Sequence, residues 1–120
     1  MVLFFYPRDE SAGCTFEACA FRDHYDQFQL AGAAVVGIST QGSSSKKAFA
    51  TKNNLPFLLV ADDGGKVRAQ YGVKSSFLGM VDGRETFVIE RGGTILHAFN
   101  SQVQPLKHVT EALAVLSTPR

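Results

Sequence analysis

The sequence has little cysteine, no excess charge of either sign and no long apolar run. Two cysteines among 120 residues are too few for a disulfide-stapled scaffold, so a reducing compartment is expected. Lys and Arg number 12 against 11 Asp and Glu, and this near-neutral balance lacks the basic surface of nucleic-acid binders. The apolar run Val2–Tyr6 is far shorter than the roughly 20 residues of a membrane span. Neither nucleic acid nor a membrane span is therefore expected.

Internal repeats, low-complexity tracts and Pro/Gly-rich linkers are also missing from the sequence. With 45% hydrophobic residues, a chain of this length can bury about two thirds of the surface that its extended form exposes. We therefore predict one domain over residues 1–120.

The order of local patterns predicts an α/β fold. Runs rich in β-branched and aromatic residues predict strands at Val2–Tyr6, Ala34–Ser39, Phe57–Val60, Glu85–Ile89 and Thr94–Phe99. Helices are predicted at Thr15–Leu30, Ser43–Asn53, Lys66–Tyr71 and Pro105–Leu116, with Ser43 as an N-cap. Gly92-Gly93 predicts a tight hairpin turn. The expected architecture is a mostly parallel central sheet flanked by helices on both faces, with one antiparallel hairpin.

The segment between the first strand and the first helix carries the clearest chemical signal. It leaves a buried strand at Pro7, passes through a polar turn with Gly13, and delivers Cys14 at the start of a helix. Free backbone N–H groups and the positive end of the helix dipole stabilise an anion there. Cys14 is therefore expected to react as a thiolate near neutral pH.

A second cysteine, Cys19, follows five residues later. In an intact helix that spacing separates the two Cα atoms by roughly 8.7 Å, whereas a disulfide tolerates no more than about 7 Å. Cys14 and Cys19 therefore cannot pair unless the first turns of the helix unwind. If they pair, the bond is a switch coupled to local unfolding.

The string FYPRDESAGCTFEACAFRD, which spans residues 5–23, resembles the active-site segment of the peroxiredoxin Q family, also called bacterioferritin comigratory proteins. Pro7, Ser11 and Cys14 occupy the family pattern of proline, threonine or serine, and peroxidatic cysteine. The similarity continues through residues 33–40, 43–73, 83–93 and 99–113, and it implies a thioredoxin-like fold. Family members usually carry some tens of residues before this strand, so the chain is expected to be N-terminally shortened, without the usual opening hairpin.

The resemblance implies a thiol-dependent peroxidase that reduces hydrogen peroxide and small organic hydroperoxides. Cys14 would attack the peroxide and become a sulfenic acid, and Cys19 would then resolve it as an intramolecular disulfide. Thioredoxin or a thioredoxin-like protein would reduce that disulfide. Such a cycle serves redox homeostasis and antioxidant defence, and it requires no metal, haem or flavin cofactor.

Four further residues receive roles through the same resemblance. Ser11 would hydrogen-bond the sulfur or the peroxide, although it could be only an N-cap. Arg84 would supply a fixed cation, although by itself it could be a surface ion-pair partner. Gly13 would let the backbone approach the substrate, and Pro7 would shield the sulfur from water.

Other polar residues have simpler interpretations. Glu17 could cap free N–H groups in the first helical turn, and Arg22 with Asp26 has the spacing of a solvated ion pair. The three histidines do not converge on a metal site; His97 and His108 are expected to be structural or exposed.

The resemblance leaves some properties open. A monomer is expected, in a plastid or a bacterial cytoplasm. The alternative function is a non-enzymatic thiol redox sensor or thioredoxin-like binding module, in which the same disulfide alters a partner surface.

Overall fold

Five strands form one sheet in the computed structural model, which describes residues 1–75 and 82–117. The strands are β1 (Val2–Phe5), β2 (Val35–Ser39), β3 (Leu58–Ala61), β4 (Glu85–Ile89) and β5 (Ile95–Asn100). The helices are α1 (Ala12–Asp23), α2 (Tyr25–Leu30), α3 (Ser43–Asn53), α4 (Lys66–Gln70) and α5 (Pro105–Ser117), and a short 3-10 turn spans Asp63–Gly65. Every predicted strand is present, and every predicted helix is present apart from one break; half of the predicted ends coincide with the observed ones, and all but one of the others shift by a single residue.

The sheet order is β3-β2-β1-β4-β5. β1 pairs with β2, and β2 with β3, in parallel; β4 pairs antiparallel with both β1 and β5. Four strands therefore point the same way and β4 alone runs against them, which confirms the predicted α/β, mostly parallel architecture. The antiparallel pairing extends beyond the predicted hairpin, because β4 is also antiparallel to β1.

The central strand β1 is buried on both faces, as its unbroken apolar sequence predicts. Val2 and Phe4 enter a core cluster with side chains from α1, α2, α3 and α5, and the Phe4 ring stacks on Phe21 with centroids 4.4 Å apart. Leu3 and Phe5 point to the opposite face, against residues of α4. Helices thus cover both faces of the sheet.

Two predicted helix features are wrong. The predicted helix Thr15–Leu30 starts earlier, at Ala12, and is interrupted at His24, whose backbone N–H and ring nitrogen both bond the carbonyl of Ala20. Ser43 is not the N-cap of α3; the extended residue Gly42 is, with no side-chain cap. None of the helices in the described ranges is long and apolar enough to cross a membrane.

Candidate active site

Cys14 lies in the first turn of α1, and its side chain is buried, with 1% of the residue exposed. Ser11 is the N-cap of this helix: its hydroxyl oxygen accepts the backbone N–H of Cys14 at 3.3 Å and donates to the carbonyl of Arg8 at 3.2 Å. The capping role that was left open for Ser11 is therefore present, and it places Cys14 where the helix dipole favours an anion.

Arg84 supplies a cation to the same sulfur. Its Nη2 lies 3.5 Å from Cys14 Sγ, and its Nε donates to the carbonyl of Gln102 at 3.1 Å. Only 4% of Arg84 is exposed, so it is not a surface ion-pair partner. A guanidinium fixed against a buried sulfur stabilises negative charge on that sulfur more effectively than it would in water.

The direction of β4 explains how residues 14 and 84 meet. Glu85, the first residue of β4, pairs with Phe5, the last residue of β1. Because β4 runs antiparallel to β1, Arg84 arrives at the sheet edge from which the chain leaves towards Cys14. The register of the sheet therefore builds the pair across 70 residues of sequence.

Glu17 completes the ion pair and was missed as a site residue. It does not cap the first turn of α1: it is fully buried, and its Oε1 accepts from Arg84 Nη1 at 2.8 Å. Burial raises the pKa of Glu17 to about 8, and the adjacent guanidinium of Arg84 opposes that rise. Spacing of three residues places Glu17 on the helix face of Cys14, which is the signal that could have identified it.

His108 lies behind this ion pair. Its Nε2 is 2.8 Å from the carbonyl of Ser101 and therefore carries the proton, while Nδ1 accepts from the hydroxyl of Thr86 at 2.8 Å. Burial lowers the pKa of His108 to about 4; the bond to Ser101 opposes this and Arg84 adds to it. Its Nδ1 is 3.7 Å from Glu17 Oε2. Of the two expectations for His108, structural or exposed, exposure is wrong because the residue is fully buried.

Gly13 and Pro7 flank the site. A Cβ at Gly13 would lie 3.1 Å from Arg84 Nη2, so the missing side chain leaves room for the guanidinium. Pro7 is half-buried in the turn between β1 and α1. The shielding role of Pro7 stays a prediction.

Cys19 is half-buried on the same intact helix, and both cysteines are free thiols. Its Sγ lies 3.7 Å from the side-chain oxygen of Asn53, at the end of α3. The predicted pair Arg22–Asp26 is wrong: Arg22 bonds Asp23 at 2.9 Å and the carbonyl of Asn53 at 2.7 Å. The second half of α1 is thereby docked on α3.

Comparisons with known proteins identify the family to which this chain belongs. The AhpC/TSA family model matches residues 1–98. The crystal structure of peroxidoxin BcpB from Mycobacterium tuberculosis is similar to this chain with a TM-score of 0.90 and 40% identity, covering 99% of this chain and 79% of that one. The chain belongs to the AhpC/TSA family.

Within the AhpC/TSA family, the similarity is to peroxiredoxin Q proteins. The chloroplastic peroxiredoxin Q of Sedum lineare is 51% identical over 118 residues, which is 98% of this chain and 63% of that protein. The bacterioferritin comigratory protein of Xanthomonas campestris has a TM-score of 0.85 and 30% identity, over 96% of this chain and 76% of that one. The peroxiredoxin Q resemblance and the thioredoxin-like fold are confirmed. The chain spans between half and two thirds of the length of its chloroplastic relatives.

In this AhpC/TSA family member, four of the predicted site residues lie next to one another: Ser11, Gly13, Cys14 and Arg84. Cys19 lies elsewhere on α1, against Asn53 of α3. The part of the chain that is described contains no group of three or more His, Cys, Asp or Glu side chains that could hold a metal ion.

Proposed function

We propose that the chain is a thiol-dependent peroxidase that reduces hydrogen peroxide and small organic hydroperoxides. The observation that carries this proposal is the 3.5 Å contact between the Arg84 guanidinium and the buried sulfur of Cys14, at the capped start of a helix. The similarity to peroxiredoxin Q proteins supports it. Neither the relatives nor the solved structures favour the alternative of a non-enzymatic sensor.

The first step oxidises Cys14. Its thiolate attacks one peroxide oxygen, an S–O bond forms as the O–O bond breaks, and the sulfur gives up two electrons. The leaving oxygen takes a proton and departs as water or alcohol. Arg84 stabilises the charge that moves from sulfur to this oxygen, together with backbone N–H groups around Gly13. Ser11 holds the helix start in place, and Pro7 shields the sulfur from water.

The second step joins the two sulfurs. The Cys19 thiolate attacks the sulfenic sulfur of Cys14, an S–S bond forms, and the hydroxyl leaves as water. Because α1 is continuous from Ala12 to Asp23, its first turns must unwind before this step. A thioredoxin-type dithiol then reduces the disulfide by two thiol exchanges and returns both cysteines to the thiol form.

The partners that we propose are the peroxide and a thioredoxin-like reductant, with the chain acting as a monomer and without a metal or organic cofactor. The relatives include chloroplastic proteins and a bacterial bacterioferritin comigratory protein. We accordingly propose a reducing compartment, either a plastid or a bacterial cytoplasm.

The test measures peroxide consumption with a thioredoxin system, alongside intact mass after one equivalent of peroxide. The parent chain is expected to lose two hydrogens and remain a monomer. Cys14→Ser should abolish turnover, because the nucleophile is gone. Cys19→Ser should take up one oxygen or dimerise through Cys14, because no resolving thiol remains.

Two results would contradict the proposal. Undiminished turnover in Cys14→Ser would reject Cys14 as the nucleophile. A normal thioredoxin-supported cycle in Cys19→Ser would remove Cys19 as the resolving residue.

A further inference from the structure

A buried polar cluster surrounds Asp9, a residue of the turn that connects β1 to Cys14. Four donors converge on its carboxylate, and we call this set the Asp9 cluster. The Ser45 hydroxyl donates to Oδ2 at 2.7 Å, Lys46 Nζ is 3.4 Å from both oxygens, and the Tyr6 hydroxyl donates to Oδ1. The Ser39 hydroxyl lies 3.4 Å from Oδ1 and shares its proton with Gln41 Oε1 at 3.0 Å. Asp9 is 5% exposed and Lys46 is 3% exposed.

The Asp9 cluster joins the turn to three other elements. Tyr6 directly follows β1, Ser39 ends β2, and Ser45 with Lys46 lies in the first turns of α3. The backbone N–H of Asp9 also donates to the side-chain oxygen of Gln41 at 2.9 Å. Asp9 is therefore held through both its main chain and its side chain.

The buried ion pair of Asp9 and Lys46 holds the turn to α3. Burial lowers the pKa of Lys46, and the neighbouring carboxylate of Asp9 opposes that fall. Removing one partner of a buried ion pair leaves the other charge without compensation, so the two groups hold each other at one position.

Glu10, the residue that directly follows Asp9, has a strained backbone conformation. Glu10 has φ +69°, in the left-handed region that costs a non-glycine residue about 1 kcal/mol or more. Such a conformation persists only where the flanking residues impose it. Here the Asp9 cluster fixes one side and the Ser11 cap fixes the other.

We propose that Asp9 is a positioning residue of the peroxidase cycle: it fixes the turn that places Cys14 against Arg84, and it is the stationary point from which the first turns of α1 unwind. This inference rests on the proposed function. The anchor should favour the peroxide step, which needs the intact helix, and restrain the disulfide step, which needs the unwound one.

The matched control is Asp62, a second buried carboxylate with a cationic neighbour. It accepts from the backbone N–H groups of Val67 and Arg68 at 2.8 and 3.0 Å and lies 3.9 Å from the Arg68 guanidinium. Asp62 follows β3 and is not part of the Cys14 turn. Asp62→Asn therefore disturbs a neighbouring buried charge pair, whose charges also act on Lys46, while every hydrogen bond to the Asp9 carboxylate stays in place.

The experiment compares Asp9→Asn with Asp62→Asn at a temperature where both are fully folded. Rapid quenching with a thiol-alkylating reagent and intact-mass detection give the rate constants for sulfenic acid and disulfide formation. This detection suits a chain without tryptophan. We expect Asp9→Asn to slow the peroxide step about tenfold or more, since misplacing reacting groups by about 1 Å can cost about a hundredfold and a smaller displacement costs less. Its disulfide step should be unchanged or faster, and Asp62→Asn should keep the parent ratio of the two rates.

A milder pair covers the case in which Asp9→Asn does not fold. Ser45→Ala removes one donor to Asp9, and Ser44→Ala changes an exposed serine of the same helical turn. The ratio of peroxide to disulfide rates should fall about threefold in Ser45→Ala and stay at the parent value in Ser44→Ala, consistent with the loss of one hydrogen bond.

The outcomes separate the two proposals. A parent chain that reduces peroxide, with unchanged rate ratios in Ser45→Ala and in any folded Asp9→Asn, overturns the inference alone. A parent chain that leaves peroxide intact overturns the proposed function and this inference together.

Discussion

The two cysteines share one helix and have opposite surroundings. The buried sulfur of Cys14 accepts a hydrogen bond from Arg84 Nη2 at 3.5 Å. At Cys19 the half-buried thiol donates, towards the neutral side-chain oxygen of Asn53 at 3.7 Å. Cys14 therefore faces a cationic N–H donor, whereas Cys19 faces a neutral acceptor. The direction of the hydrogen bond therefore distinguishes the two sulfurs, which fits the proposed roles of Cys14 as nucleophile and Cys19 as resolving thiol.

Removing the Arg84 guanidinium should have the largest effect on the difference between Cys14 and Cys19. Arg84→Met leaves Cys14 buried without a charged donor, so we expect the second-order rate of sulfenic acid formation to fall about a hundredfold or more. The rate of Arg84→Lys should lie between those of the parent chain and Arg84→Met, because lysine retains the charge without the planar donors. The control is Arg91→Met in the exposed β4–β5 turn, which should leave the rate unchanged. Equal rates in Arg84→Met and Arg91→Met would show that Cys14 reacts without the guanidinium.

Glu17 sharpens the comparison because its carboxyl group bonds the same guanidinium as Cys14. Its pKa of about 8 is raised from the ordinary 4.5, so its contribution to stability is complete below pH 4.5 and is lost as pH rises through 8. In the parent chain, the free energy of unfolding should therefore fall as the pH rises from 4.5 to 8. Glu17→Gln has no group that titrates there, so this fall should be smaller by about 1 kcal/mol or more. Urea titrations across the range measure it, with the exposed Asp26→Asn as control. A parent chain whose stability rises over the same range would contradict the assignment.

His108 should produce a smaller effect of opposite sign. Its pKa of about 4 is lowered from 6.5, so its contribution is complete above pH 6.5 and is lost as pH falls through 4. His108→Gln is expected to flatten this acid loss by about 1 kcal/mol. Thermal melts between these pH values provide the measurement, and His97→Gln on β5 serves as the reference variant. If both variants lost the same stability as the pH falls from 6.5 to 4, the loss would not come from His108.

The weakest contact is the one that holds Cys19. Asn53→Ala removes the acceptor of a sulfur hydrogen bond, and such bonds contribute only about 0.5–1 kcal/mol. In a Cys14→Ser background, we expect Cys19 to be alkylated about two- to fivefold faster, the factor that this energy corresponds to. Thr51→Ala, on an exposed position of α3, should have no effect. If both variants react alike, the contact with Asn53 does not restrain the thiol.

Most of the fold was predictable because it depends on local patterns. The unbroken apolar run Val2–Phe5 identifies a strand buried on both faces, and Gly92-Gly93 lies in the turn between β4 and β5. The break at His24 was not predictable, because apolar spacing continues across it into α2. The N-cap at Gly42 was missed because it contributes no side-chain bond.

The site was predictable where it is local and where the family resemblance reached. Ser11 and Cys14 lie within one short segment, whereas Arg84 was selected only through the peroxiredoxin Q pattern. Glu17 and Asp9 were missed because an isolated carboxylate usually indicates a solvated surface. Their burial depends on the distant partners Arg84 and Lys46, which the register of the sheet and the packing of α3 bring to them.

The position of β4 has a consequence for synthesis of the chain. Cys14 is made early, whereas Arg84 and the strand that carries it emerge from the ribosome 70 residues later. Domains acquire long-range pairings only once both segments are available. A growing chain accordingly holds the Cys14 sulfur without the Arg84 guanidinium, and the proposed nucleophile gains its cation only after β4 has paired with β1.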